Sequence, residues 1–231
     1  MLPYVVCHMT TSIDGKVTGD FLYTPEASGA VSVYYKINRR YHADAYACGR
    51  ITMEGSFTGG RVPDLSPYAD VHVPRTDYIA DREARFFAVA FDRRGRLGWA
   101  DSRIRDEDPG YDNAHVIEVL CEDAPDSVLA RFRENGISYI FAGAHEMDVR
   151  LALEKLYALF GIKRLLLEGG SVLNGAFARA GLIDEISLVV APLTAQEGAL
   201  ALFDSGSLSN YTLRQTQTFD GGVLWLNYAR L

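Results

Sequence analysis

Glu168-Gly169-Gly170-Ser171 is the stretch of this chain best suited to holding a charged ligand. It follows an apolar run, Arg164 to Leu167, that reads as a buried strand. Val172, Leu173, Phe177 and Leu182 come next at helical spacing. At such a strand-to-helix turn the first backbone N–H groups have no partner within the helix, and the macrodipole is positive. Without Cβ atoms, Gly169 and Gly170 let a phosphate come close to those groups. Ser171 can cap the helix or donate to the same phosphate. A Gly-Gly pair at this kind of turn also serves purely steric needs, so both readings fit the stretch by itself. The full Gly-x-Gly-x-x-Gly fingerprint is absent, which argues against a Rossmann dinucleotide domain.

Three more places carry chemistry. Asp14-Gly15 follows an apolar stretch over 3–9, so Asp14 is either a carboxylate held at a strand end or part of a plain turn. Gly49-Arg50-Ile51-Thr52 repeats the strand, glycine and polar helix start of the first motif. Two such turns on parallel strands point to the carboxyl edge of a sheet, where ligands bind in open α/β folds. Arg93, Arg94 and Arg96 crowd one turn after the apolar run 86–91. They are either a solvated hairpin or an anion site, since the guanidinium fork suits phosphate. The histidines His8, His42, His72, His115 and His145 are scattered without metal-ligand spacing, so no metal site is expected.

The elements that must position these residues read as one α/β domain over 1–231. Strands are expected at 3–9, 44–49, 86–91, 115–121, 137–142, 164–167 and 186–190. Helices are expected at 31–42, 125–135 and 147–160, and after Ser171. The region 163–192 is a strand–helix–strand unit, whose strands should be parallel and whose crossover should be right-handed. After Pro192 the pattern changes to strands at 199–203, 211–219 and 223–230, with Asp220-Gly221-Gly222 as a hairpin turn. The whole is a mixed, mostly parallel sheet flanked by helices, with an antiparallel hairpin at the carboxyl end. Apolar residues make up 48% of the 231, which suffices for a sizeable core. A net charge of −7 with no basic stripe excludes nucleic acid as the expected partner. Cys7, Cys48 and Cys121 read as reduced core thiols. No apolar run is long enough to cross a bilayer and no signal peptide is visible, so a cytoplasmic protein is expected.

The motifs, taken in order, are similar to those of a known family. SIDGKV after the first strand, DAYACGRIT at the second turn, FDRRGRL after a middle strand, and LLLEGGSVLN followed by GLIDEISLVVAP resemble the reductase domain of bacterial riboflavin biosynthesis. That family has the dihydrofolate-reductase-like fold. The resemblance implies an NADPH-dependent reductase, usually a homodimer, acting on a small-molecule substrate. It implies cofactor contacts from Thr10, Gly49, Thr52, Arg93 and the run Gly169, Gly170, Ser171, Val172, Leu173 and Asn174. An arginine at position 93 would pair with a 2′-phosphate and favour NADPH over NADH. Glu168, Arg40 and Ser56 fall at substrate-side positions, and Asp14 beside the nicotinamide. The chain departs from the pattern at Ser56, where the riboflavin enzymes carry an aspartate. It also lacks a recognisable Pro-x-Leu-x-x-Arg segment after it, and no deaminase domain precedes this one.

The expected chemistry is hydride transfer to a carbonyl or imine carbon of a small polar heterocycle, pyrimidine- or pterin-like. The protein supplies orientation and a dry site. Glu168 and Asp14 are the candidate proton donors, since a carboxyl half-buried beside an apolar ring has a raised pKa. Either could instead only hold substrate or a turn. Two alternatives remain at this level: a non-catalytic nucleotide-binding relative, and a 5-amino-6-(5-phosphoribosylamino)uracil reductase proper. A dihydrofolate reductase is disfavoured, because VSVYYKINRRYH offers no carboxylate to grip a pterin.

Overall fold

The computed structural model describes residues 1–231. In chain order the elements are β1 (Tyr4–Ser12), α1 (Ser28–Arg40), β2 (Ala45–Gly49), α2 (Arg50–Met53), β3 (Phe87–Phe91), β4 (His115–Leu120) and α3 (Asp126–Glu134). They continue with β5 (Ser138–Phe141), α4 (Val149–Phe160), β6 (Arg164–Leu167), α5 (Ser171–Arg179), β7 (Glu185–Ala191), β8 (Tyr211–Thr218) and β9 (Leu224–Arg230). The chain divides into two compact units, each discontinuous in sequence.

One unit comprises residues 1–3 and 44–163. Its strands lie in the order β5-β4-β3-β2, all parallel. Parallel strands covered on both faces read as unbroken apolar runs, and β3 and β4 are buried throughout. In α4 the buried residues Val149, Ala152, Leu153 and Leu156 repeat at helical spacing. Asp148 caps that helix, accepting from Arg150 N and Leu151 N at 3.0 Å each. α3 follows Pro125 at its N-cap and buries Val128, Leu129 and Phe132.

The other unit comprises residues 4–43 and 164–231. Its strand order is β6-β1-β7-β9-β8. β6 and β7 flank β1 in parallel, in register Cys7↔Leu167 and Thr10↔Val189. β9 and β8 add antiparallel, joined by the Asp220–Gly222 turn. α1 lays Ala30, Val33 and Ile37 on Val189, Ala191, Val223 and Trp225. Each aliphatic side chain taken fully out of water there contributes about 1.5–3 kcal/mol.

The strand anticipated at 199–203 does not form. Only an isolated bridge, Lys16↔Ala201, occurs there. The segment is a strap whose polar groups are committed elsewhere. Val17 N donates to Leu200 O at 2.8 Å, and Leu202 N to Gly15 O at 3.2 Å. α1 starts at Ser28 rather than 31, after two short 3-10 turns at Asp20–Tyr23 and Pro25–Ala27. α4 starts at Val149 rather than 147 because Asp148 is its cap. No helix is long and apolar enough to cross a membrane.

Candidate active site

The chain leaves β6 at Glu168, which is 7% exposed. Glu168 Oε1 accepts a 2.6 Å hydrogen bond from Asn38 Nδ2 of α1. Burial, and behind it the Glu168 charge, push the neighbouring Cys7 thiol up. Gly169 follows with φ 95°, and the Gly169–Gly170 peptide is cis. A Cβ on Gly169 would stand 3.0 Å from Met9 Cε and 3.3 Å from its Sδ, so glycine suits both the space and the backbone.

Gly170 is the N-cap of α5, extended and without a side-chain cap. Ser171 does not cap this helix: its hydroxyl donates to Ala201 O at 2.6 Å and is buried. Asn174 is fully buried, donates through Nδ2 to Leu202 O at 3.1 Å, and leaves Oδ1 without a partner. Leu173 is buried, while Val172 is 65% exposed. The first turn of α5 is therefore held from behind by the 201–204 strap. Its leading N–H groups carry the positive end of the helix dipole.

Thr10 lies near the carboxyl end of β1 and is 9% exposed. Asp14 stands in the turn beyond it, exposed. Its Oδ1 accepts from Ala195 N at 3.0 Å. The Ser12 hydroxyl first, and then the Ala195 N–H, hold the Asp14 carboxyl below the usual range. The expectation of a raised pKa is therefore corrected for Asp14. Nothing apolar encloses it, and two donors stabilise its charged form.

Arg40 is not brought to Glu168. Its guanidinium stands 6.0 Å from the Trp225 ring on β9, and the strand order puts β1 and β7 between β9 and β6. The residue of α1 that reaches Glu168 is Asn38. A buried network seats that helix. His8 Nε2 donates to Tyr34 O at 3.1 Å, so its Nδ1 accepts from the Ser187 hydroxyl at 2.9 Å. Ser187 Oγ in turn accepts from Trp225 Nε1 at 2.9 Å. Burial pushes the His8 imidazole down to about 4, so it stays neutral.

The remaining candidates lie in the other unit, also at strand carboxyl ends. Gly49 closes β2 and is the extended N-cap of α2. Half-buried Thr52 sits in α2, and exposed Ser56 in the π-helical turn Glu54–Thr58 that continues it. Arg50 Nη1 pairs with Glu54 Oε2 at 2.8 Å across that junction. Arg93 follows β3, half exposed, with Nη2 3.1 Å from Asp123 Oδ2. Asp92 shapes the arginine turn, its Oδ2 accepting from Arg96 N and, at 2.9 Å, from Leu97 N. Asn38, Asp123 and the His8 network carried no signal in the sequence. Each is a single polar residue whose partners are far away along the chain. No cluster of His, Cys, Asp or Glu could hold a metal ion.

Comparison with known proteins bears on the family and the fold. The model of the RibD C-terminal domain family matches residues 3–225. A 2,5-diamino-6-ribosylamino-4(3H)-pyrimidinone 5′-phosphate reductase from Methanothermobacter thermautotrophicus is 31% identical, over 84% of this chain and 79% of its own length. Among solved structures, a pyrimidine reductase-like protein from Corynebacterium diphtheriae superposes with a TM-score of 0.69 at 17% identity, covering 99% of this chain and 92% of that one. The riboflavin biosynthesis reductase Rib7 of Saccharomyces cerevisiae gives 0.62 at 14% identity, covering 100% and 90%. At these identities the two structural likenesses are likenesses of fold.

Proposed function

The chain belongs to the RibD C-terminal domain family, a reductase family, and on that premise we propose that it is an NADPH-dependent reductase of a ribosylamino-pyrimidine phosphate. The observation that carries the reading is the start of α5. Its N-terminus has no side-chain cap, two glycines precede it, and the buried Asn174 Oδ1 lacks a donor. Uncapped N–H groups fit a pyrophosphate. A buried orphan acceptor fits a hydroxyl or amide donor. Thr10 and Gly169 to Asn174 would hold the dinucleotide, which when bound supplies a hydride to a carbonyl or imine carbon; Gly49, Thr52 and Arg93 are cofactor contacts on the family resemblance alone.

The chain's own part is placement and protonation. Asn38 fixes the Glu168 carboxyl at the end of β6, where it can hold the substrate or pass a proton to it. Asp14 is kept ionised by its two donors and serves as an anchor for the turn. Ser56 stands on the substrate side, where the riboflavin enzymes carry an aspartate. The 31% identical relative supports this substrate class. 5-Amino-6-(5-phosphoribosylamino)uracil is the alternative within the same class. A homodimer is part of the same reading.

The test mixes the protein with NADPH and each of the two pyrimidine phosphates and follows loss of the reduced nicotinamide absorbance. Turnover with either, falling at least about tenfold in Glu168→Gln while NADPH affinity holds, supports the reading. Equal loss of turnover and NADPH affinity would remove Glu168 from the substrate side. NADPH binding without turnover on either compound would assign the chain to a non-catalytic nucleotide-binding role.

A further inference from the structure

At the carboxyl ends of β3, β4 and β5, three basic side chains gather around one carboxylate. Arg93 Nη2 is 3.1 Å from Asp123 Oδ2, and His145 Nδ1 is 3.5 Å from the same oxygen. Arg94, next in the turn, adds its charge. The grouping is built into the backbone. Cys121 N donates to Arg93 O at 2.9 Å, Glu122 N to Gly143 O at 3.0 Å, and Asp123 N to Ala144 O at 3.3 Å. Asp123 Oδ1 is buried without a partner. The hydrogen bond from Arg93 leads the effects that hold its carboxyl below the usual range.

The acids here nearly balance the bases. Glu122, Asp123 and Glu146 all bear on the Cys121 thiol, and Arg93 opposes them. Arg93 and Arg94 therefore share their surroundings with carboxylates, Asp123 nearest. A phosphate monoester carries about −1.5 to −2 charges at neutral pH. Arriving at Arg93, it must compete with Asp123 for the guanidinium fork and meet the Asp123 charge. A free hydroxyl carries no charge and meets no such cost.

We infer that Asp123 is a specificity-determining residue for the nucleotide: paired with Arg93, it holds down the preference for a 2′-phosphorylated over an unphosphorylated dinucleotide. This rests on the reading of Arg93 as the 2′-phosphate contact. Asp123 limits how much of the arginine's charge is available to a phosphate.

The experiment measures NADPH and NADH dissociation constants by nicotinamide fluorescence for the wild type, Asp123→Asn, Asp123→Ser and Arg93→Ala, with a thermal melt of each. Both Asp123 variants should raise the NADPH-over-NADH affinity ratio about tenfold, mainly through tighter NADPH binding, and high salt should shrink the gain. Arg93→Ala should lower the ratio. Folded Asp123 variants whose ratio does not rise, beside an Arg93→Ala that lowers it, would overturn this inference and leave the proposed function standing. A ratio unmoved by any variant would overturn it and remove Arg93 as the phosphate contact as well. Failure of the wild type to bind either nucleotide would overturn the proposed function, and this inference with it.

Discussion

Replacing Asn38 with alanine separates the placement of Glu168 from the rest of the site. Asn38 is 5% exposed and Glu168 7%, and the bond between them is 2.6 Å, a length typical of strong hydrogen bonds to a carboxylate. Bonds to charged groups contribute about 1.5–3 kcal/mol net, and leaving a buried acceptor short of its donor adds desolvation cost. A loss of about 2–3 kcal/mol is expected. For a chain of this size each kcal/mol shifts the melting temperature by about 2–4 °C, so Tm should drop by roughly 4–12 °C. The carboxyl would then lose a donor that orients it, and loss of orientation on that scale costs about 10- to 100-fold in turnover. The dinucleotide contacts proposed on α5 do not involve α1, so the NADPH dissociation constant should stay within about twofold, well under the 1.4 kcal/mol that a tenfold change represents. Steady-state kinetics, a fluorescence titration and a melt read all three quantities. A lower Tm with unchanged kcat would refute the argument, since Asn38 would then only seat α1. A parallel loss of kcat and NADPH affinity would refute it too, because the damage would not be local to Glu168.

Two other substitutions test separate links. Gly169→Ala places a Cβ 3.0 Å from Met9 Cε at φ 95°, so it should cost about 1–2 kcal/mol and weaken NADPH binding by at least about tenfold; unchanged binding in a folded variant would take the Gly-Gly turn out of the cofactor site. Glu118 is fully buried, accepts from Trp99 Nε1, and leaves Oε2 unpartnered. Burial, then the Asp92 charge, raise its pKa well above the ordinary 4.5. The folded state therefore holds this proton when the unfolded chain has lost it. The resulting stability is complete below the unfolded pKa and is lost as pH rises toward the folded one. Between pH ~5 and ~8 the Tm of Glu118→Gln should gain steadily on that of the wild type; parallel curves would refute the assignment.

The buried strands were legible because parallel strands covered on both faces leave unbroken apolar runs, as in 86–91 and 164–167. The 199–203 run failed because apolar content there serves a strap over α5, with its carbonyls taken by Ser171 and Asn174 rather than by a ladder. Local chemistry misled at Ser171 as well. The sequence shows a hydroxyl at a helix start and cannot show the Ala201 carbonyl that claims it. Asn38 reads as one polar residue on a helix of mixed character, and only the crossing of α1 over the sheet makes it the partner of Glu168. Arg40 occupies a matching place in the chain, yet its side chain runs to Trp225.

The two carboxylates singled out from sequence end in opposite surroundings, and on the proposed function this difference separates their roles. Asp14 gains its environment from 181 residues away, where Ala195 N donates to it. Ile13 N donates to Leu193 O at 2.9 Å beside it, so the acid clamps the turn after β1 to the strap after β7. An exposed carboxylate with its charge already satisfied by two donors has little tendency to take up or release a proton near neutrality. Glu168 lies buried at the carboxyl end of β6, next to Cys7, and accepts a hydrogen bond from the neutral amide of Asn38. A neutral donor orients a carboxyl without fixing it as an anion in the way an arginine would. Orientation is what a group needs if it is to hold a polar substrate or exchange a proton with it. On the proposed function, the pairing of Glu168 with Asn38, more than either residue alone, is what would orient the carboxyl at the end of β6 for the substrate.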